Sequence, residues 1–174
     1  MTQPRGVQAE KEEDRFTMDD ALTGDGLRYF EDHVPGSTCL FGSTLVEEHE
    51  MIDFARRYDP QLFHIDPDAA GKTSFGGLVA SGLYTVCLAT RMIVDNELSK
   101  VASLGSPGID ELRWWMPVRP GDLLSIRVTV LEAKRSASKP DRGVVKGLIE
   151  VLNQRSEVVA SWKGTHIVLC RHPG

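Results

Sequence analysis

Apolar residues recur along the chain at two different spacings, and the spacing changes at about residue 112. Before that point, four apolar residues occupy positions i, i+3, i+4 and i+7: Met51, Phe54, Ala55 and Tyr58. This spacing predicts a helix with one apolar face, which Pro60 ends because the residue before a proline avoids the α conformation. Residues 78–93 are apolar on nearly every side, which predicts a long helix buried all round, and residues 39–46 are typical of a short strand.

Apolar and polar residues alternate in the second half of the chain, where they predict antiparallel strands. The predicted strands cover residues 112–116, 124–130, 145–152 and 158–169. Pro120 and Gly121 stand where a type II turn requires them, between the first two of these strands. Because helices and strands are segregated along the chain, the pattern predicts an α+β fold in which an antiparallel sheet wraps around one long central helix.

Composition narrows the class of protein. The chain has 174 residues, of which 41% are hydrophobic, and residues 27–174 are predicted to form a single domain with one core. Residues 1–26 are polar without a sustained period, which predicts a flexible tail.

A net charge of −5 argues against nucleic acid as a partner, and no stretch resembles a membrane span. The three cysteines lack metal-ligand spacing and favour a cytoplasmic protein with reduced thiols.

Asp59 and His64 are the candidate catalytic pair. They are five positions apart across the predicted end of a helix, so a loop there can turn both side chains towards one point. A carboxylate and an imidazole that share one water form an acid–base pair suited to neutral pH. The alternative is structural: Asp59 caps a turn and His64 is an ordinary loop histidine. His64 and Asp66 have no third ligand at a recognisable spacing, so no metal site is predicted.

The glycine-containing segment at residues 75–82 offers a place for a ligand oxygen. If the buried helix begins near Ser81, its first backbone N–H groups are free and can bind an oxyanion. Glycine would let that oxygen approach closely; the alternative is that the glycines serve only tight packing of the helix on the sheet. Trp114 and Trp115 are neighbours on a predicted strand and must face opposite sides, with one of them expected in the core.

Three segments of the chain, taken in order, carry a family resemblance. They are Asp59-Pro60-Gln61-Leu62-Phe63-His64-Ile65-Asp66-Pro67, then Phe75-Gly76-Gly77-Leu78-Val79-Ala80-Ser81-Gly82, and finally Arg113-Trp114 with Pro117-Val118-Arg119-Pro120-Gly121-Asp122. Together they resemble the MaoC-like hydratases and dehydratases, which include the (R)-specific enoyl-CoA hydratases. The similarity covers residues 29–171.

The resemblance implies a hotdog fold, and a homodimer or a dimer-based oligomer. It implies a coenzyme A thioester substrate from fatty acid metabolism, with no metal or redox cofactor. By similarity, Asp59 and His64 hold and activate a water, and the backbone N–H of Gly82 polarises the thioester oxygen. The resemblance also implies five residues that contact the substrate: Phe63, Phe75, Gly77, Ser81 and Thr90.

The expected reaction is the reversible hydration of a trans-2-enoyl-CoA to a 3-hydroxyacyl-CoA. Asp59 takes the proton from the water as its oxygen attacks C3, His64 orients that water, and the pair returns a proton to C2. Two alternatives stay open: an acyl-CoA thioesterase on the same fold, and a non-catalytic module that binds acyl thioesters. The chain departs from the family pattern at Gln61, Leu62 and Ser81, where Asn, Pro and His are usual, and this bears on the choice of substrate.

Overall fold

The computed structural model describes residues 26–172, so the predicted tail lies outside the described residues except for its last position. The strands are β1 (Thr38–Leu45), β2 (Ser103–Trp114), β3 (Leu123–Arg135), β4 (Arg142–Leu152) and β5 (Val158–Leu169). Within the described part they form one antiparallel sheet in the order β1-β3-β4-β5-β2. β1 and β2 are therefore the two edge strands.

Four α-helices lie in the described residues: α1 (Glu48–Tyr58), α2 (Leu62–Ile65), α3 (Pro67–Gly71) and α4 (Gly82–Asn96). The long helix α4 packs on the sheet, and its buried residues are Tyr84, Thr85, Ala89, Met92 and Ile93. Side chains of the strands that complete this core include Leu124, Ile126, Ile149 and Val151. Each large aliphatic side chain buried here contributes about 1.5–3 kcal/mol to the free energy of folding. The prediction of an α+β fold with a sheet around one central helix is confirmed.

The helix α4 begins at Gly82, four residues later than predicted. Ser81 caps it by accepting a hydrogen bond from the backbone N–H of Leu83 (3.3 Å). Ala80 N donates to Val118 O (2.8 Å), which holds the residues before the cap away from helical geometry. The prediction of burial all round is wrong, because Leu83 is 50% exposed on a face that no described element covers.

β2 is much longer than the predicted strand at residues 112–116. Its register against β5 shifts at three places, and Gly105 and Gly108 have positive φ angles, so the alternation that marks a strand is lost. Trp114 and Trp115 do face opposite sides, since their Nε1 atoms donate to Gly82 O and Ser161 Oγ. Neither is in the core, however: the two side chains are 50% and 61% exposed.

Residues 62–71 fold into the two short helices α2 and α3, with Asp66 between them. Asp66 caps α3 by accepting from Asp68 N and Ala69 N, and Pro67 occupies the first helical position, where proline is favoured. The predicted turn at residues 119–122 is confirmed, with Gly121 at a φ of 84°. Among the described residues, no helix combines the length and the apolar character needed to cross a bilayer.

Candidate active site

Asp59 lies at the C-terminal end of α1, where its backbone N donates to Ala55 O (2.8 Å) and the following proline stops the helix. Each carboxylate oxygen accepts one hydrogen bond, Oδ1 from Gln61 Nε2 (2.8 Å) and Oδ2 from Ser81 Oγ (2.7 Å). These bonds stabilise the charged form, so the pKa of Asp59 lies below its ordinary value, with the Ser81 bond as the largest cause. Asp59 is therefore a fixed, ionised carboxylate at neutral pH.

His64 lies on α2 and is buried, with 6% of its surface exposed. Its Nδ1 is 2.7 Å from Val79 O, and because a carbonyl oxygen can only accept, Nδ1 carries the hydrogen. In the neutral ring, Nε2 then presents a lone pair, and it faces Asp59 Oδ2 at 3.4 Å. Two hydrogen-bond acceptors thus face the same point, where one water can donate a hydrogen to each.

The N-terminus of α4 lies beside this pair. The backbone N–H of Gly82, the first residue of the helix, finds no acceptor among the described residues, as is usual in a first helical turn. The indole of Trp114 lies over Gly82: its Nε1 donates to Gly82 O (3.0 Å), and a Cβ atom at residue 82 would overlap the ring. Residue 82 must therefore be a glycine for the Trp114 indole to pack in this position, independently of any ligand.

A cavity of about 480 Å³ opens onto the acid–base pair and the start of α4. Asp59 and His64 are the titratable side chains in its described lining. Most of the remaining wall is apolar and includes Phe75, Leu83, Trp114, Met116 and Val118. A cavity of this size with apolar walls and two convergent polar groups suits a small organic ligand with one polar end.

Five of the eight predicted site residues line the cavity: Asp59, His64, Phe75, Ser81 and Gly82. Phe63 lies behind the wall, with its ring centroid 4.4 Å from that of His64 in an edge-on contact. Gly77 is outside the lining, next to the guanidinium of Arg119. Thr90 does not line the cavity either, because it lies two turns further along α4, exposed, with its hydroxyl donating to Val86 O (2.8 Å).

Sequence reasoning missed several contacts at the site, including those of Ser81 with Asp59 and of Trp114 with Gly82, and two more that involve Gln61 and Arg119. The amide of Gln61 binds the carboxylate of Asp59, and the only sequence signal was that this position departs from the family pattern. The guanidinium of Arg119 donates to Phe75 O (2.5 Å) and Leu78 O (3.3 Å), which fixes the segment before α4. No pattern in the sequence pointed to that contact. Among residues 26–172, no three His, Cys, Asp or Glu side chains group closely enough to bind a metal ion.

The sheet around a long helix is a hotdog fold, and the site lies at the N-terminus of that helix. The MaoC like domain matches residues 30–151, and the chain belongs to this family.

Two solved structures and one relative in sequence illustrate the similarity. The MaoC-like dehydratase from Rhodospirillum rubrum has a TM-score of 0.74 and 36% identity, covering 83% of this chain and 99% of that one. The R-hydratase PhaJ1 from Pseudomonas aeruginosa has a TM-score of 0.64 and 22% identity over 83% of this chain and 86% of that one, which shows the fold alone. The protein MaoC of Klebsiella aerogenes is 30% identical over 116 residues, or 66% of this chain. The matched part is only 33% of that longer protein.

Proposed function

We propose that the protein catalyses the reversible hydration of trans-2-enoyl-CoA thioesters to 3-hydroxyacyl-CoA thioesters. The observation that carries the proposal is the pair of acceptors, Asp59 Oδ2 and His64 Nε2, 3.4 Å apart at the wall of a largely apolar cavity. A water that donates one hydrogen to each acceptor keeps its lone pairs free to attack a carbon atom in the cavity.

The reaction adds water across the C2=C3 bond of the acyl chain. The water oxygen bonds to C3 while the pair removes a proton, and negative charge builds on the thioester oxygen. The N–H of Gly82, at the positive end of α4, is the donor for that oxygen; one such donor is typically worth about 3 kcal/mol in the transition state. The proton then returns to C2. The addition of water is redox-neutral and needs no redox cofactor, and the proposal includes no metal ion.

Family membership and the wall of the cavity support this reaction. The match to the MaoC like domain and the 36% identity to a MaoC-like dehydratase favour hydro-lyase chemistry. The apolar wall suits an acyl chain, while coenzyme A as its carrier rests on the family resemblance. We further propose that the protein acts in the cytoplasm, as a homodimer or a dimer-based oligomer.

The test is an assay with crotonyl-CoA and a longer trans-2-enoyl-CoA, following the absorbance of the enoyl thioester and the free thiol together. Loss of absorbance without thiol supports hydration. Release of thiol contradicts it and indicates a thioesterase. If neither signal changes, a shift of the unfolding temperature with acyl-CoA would indicate a non-catalytic binding module instead.

Two substitutions test the acid–base pair itself. Asp59→Asn and His64→Gln should each lower kcat/KM by about 100-fold or more, because each removes one of the two groups that activate the water. Asp53→Asn and His49→Gln are matched controls, since both residues are exposed on α1 and do not line the cavity. Full activity in either variant of the pair, with the protein folded by circular dichroism, would contradict the assignment.

A further inference from the structure

We propose that Ser81 and Gln61 are positioning residues that keep the carboxylate of Asp59 ionised and aimed at His64, so that the water proton passes to Nε2 of His64. This inference rests on the proposed hydration. It reverses the roles that the family resemblance implied for the pair, in which Asp59 takes the proton. It also moves Ser81 from a contact with the substrate to the support of Asp59.

The direction of the hydrogen bond between Ser81 and Asp59 is fixed by its surroundings. A serine hydroxyl has one hydrogen, and Ser81 Oγ already accepts from the backbone N–H of Leu83 (3.3 Å). Its own hydrogen is therefore directed at Asp59 Oδ2, 2.7 Å away. Because Ser81 is fully buried at the N-cap of α4, the long helix holds this donor in place.

Gln61 holds the other oxygen of the same carboxylate. Its Nε2 donates to Asp59 Oδ1 (2.8 Å), and its backbone N donates to Asp59 O (2.8 Å). These two hydrogen bonds to Asp59 fix the position of the Gln61 side chain relative to the carboxylate. Both oxygens of Asp59 thus accept a hydrogen bond from a neutral donor, which favours the charged carboxylate and weakens it as a base.

His64 is the proton acceptor that these contacts leave open. Its Nδ1–H is committed to Val79 O, and the lone pair of Nε2 has no protein donor among the described residues. When the water attacks C3, its O–H bond breaks, the oxygen bonds to carbon, and the proton moves to Nε2. The ionised Asp59, 3.4 Å away, stabilises the resulting imidazolium, which then delivers the proton to C2.

Ser81→Gly and Gln61→Ala separate this role from a structural one. Glycine is nearly as good as serine at an N-cap, so Ser81→Gly removes the donor while largely keeping the start of the helix. Gln61 is exposed, and its truncation leaves the core untouched. Two properties are then measured: the titration of the Asp59 carboxyl carbon by NMR, assigned with Asp59→Asn, and the separate kcat and KM for an enoyl-CoA.

We expect the pKa of Asp59 to rise towards its ordinary value in both variants. We expect kcat to fall about tenfold, as for the loss of one hydrogen bond to a charged group, with KM unchanged. Ser37→Ala, which removes an exposed hydroxyl bonded to Val34 O, should change neither property.

Three results would overturn the inference: an Asp59 titration that does not move, a raised KM with kcat unchanged, or a raised kcat. The second would return Ser81 to substrate contact, and the third would make Asp59 the base, because a more basic carboxylate would then react faster. If the wild-type protein hydrates no enoyl thioester, the proposed function fails, whereas the titration still decides whether Ser81 and Gln61 support Asp59.

Discussion

Gly82 and Trp114 are in direct contact, although they are 32 positions apart along the chain. The indole covers the Cα of Gly82 and is tied to its carbonyl oxygen, and both residues line the cavity. The tryptophan therefore forms one wall of the site only because residue 82 has no side chain.

The substitution Gly82→Ala should reduce the free energy of unfolding by about 1–3 kcal/mol, because the new methyl group overlaps the indole and the ring must move. Gly71→Ala is the matched control, since a Cβ at that helical position meets nothing within 4 Å. In a Trp114→Ala background, the same change at Gly82 should become neutral or slightly stabilising. Urea unfolding of the four proteins measures this coupling. If the changes in free energy of unfolding caused by Gly82→Ala and Trp114→Ala were additive, the predicted overlap between the indole and a side chain at residue 82 would be contradicted.

The pair Asp59 and His64 could be predicted from the sequence, because its spacing and the stop at Pro60 are local features. The support for Asp59 could not be predicted in full. Ser81 reaches Asp59 across 22 positions, and this contact depends on how α4 lies relative to α1. The proximity of Gln61 is local, but nothing in a sequence shows that its amide turns towards the carboxylate.

Among the elements, β2 is one of the two strands that have a neighbouring strand on one side only. It is an edge strand, with only β5 beside it, and its exposed side chains include Leu104 and Ile109. An exposed edge of this length with apolar side chains is a template for pairing with another strand. The apolar Leu83 and Val94 are exposed as well, on α4.

We therefore expect β2 to form part of the interface in the proposed homodimer. Ile109→Lys should convert the dimer to a monomer, because a lysine at a paired edge would bring a charge into the contact. Leu40→Lys places the same charge on β1, the opposite edge, where the residue is 65% exposed, and should leave the dimer intact. Light scattering after size-exclusion chromatography gives the masses. A wild-type monomer, or a dimer that Ile109→Lys leaves unchanged, would contradict this interface.

The elements with regular patterns were predicted well, and the irregular ones were not. The last strand, β5, has the predicted bounds, and β4 extends only three residues beyond the predicted start. β2 was predicted too short because its glycines and register shifts interrupt the alternation. α4 was predicted to start early because residues 78–81 are as apolar as the helix, although Ala80 pairs with Val118 instead.

At the scale of the whole molecule, a second group of ionisable residues lies at the C-terminal end of α4, far from Asp59. His33 and His166 line an apolar cavity there, near the ion pair of Arg28 and Glu97. The pKa of each histidine lies below its ordinary value, with burial as the largest cause. The positive charge of Arg28 lowers the pKa of His33 further, and the neighbouring His33 lowers the pKa of His166 further. Both histidines are therefore neutral in the folded protein at neutral pH.

The free energy of unfolding should decrease as the pH falls from about 7 to about 5. The unfolded histidines titrate near 6.5, so below that pH the unfolded state binds protons that the folded state resists. The carboxylates whose pKa is lowered by folding also stabilise the folded state, but that stabilisation is lost only at a lower pH than the histidine effect. Urea unfolding at several pH values measures the slope, which the double variant His33→Gln, His166→Gln should flatten. His49→Gln, at an exposed position, should leave it unchanged, and an unaltered slope in the double variant would contradict the prediction.

The contact of Arg119 with the segment before α4 limits how the site could be moved to another scaffold. Residues 59–82 contain the acid–base pair, the helix cap and the first residue of α4, and so look like a cassette for grafting. Their geometry is held from outside, because Arg119 binds Phe75 O and Leu78 O and Val118 O accepts from Ala80 N. A graft of this segment alone would carry the side chains but lose the orientation of the histidine. A working transplant needs a second piece, residues 117–122, fixed at its native distance from the first.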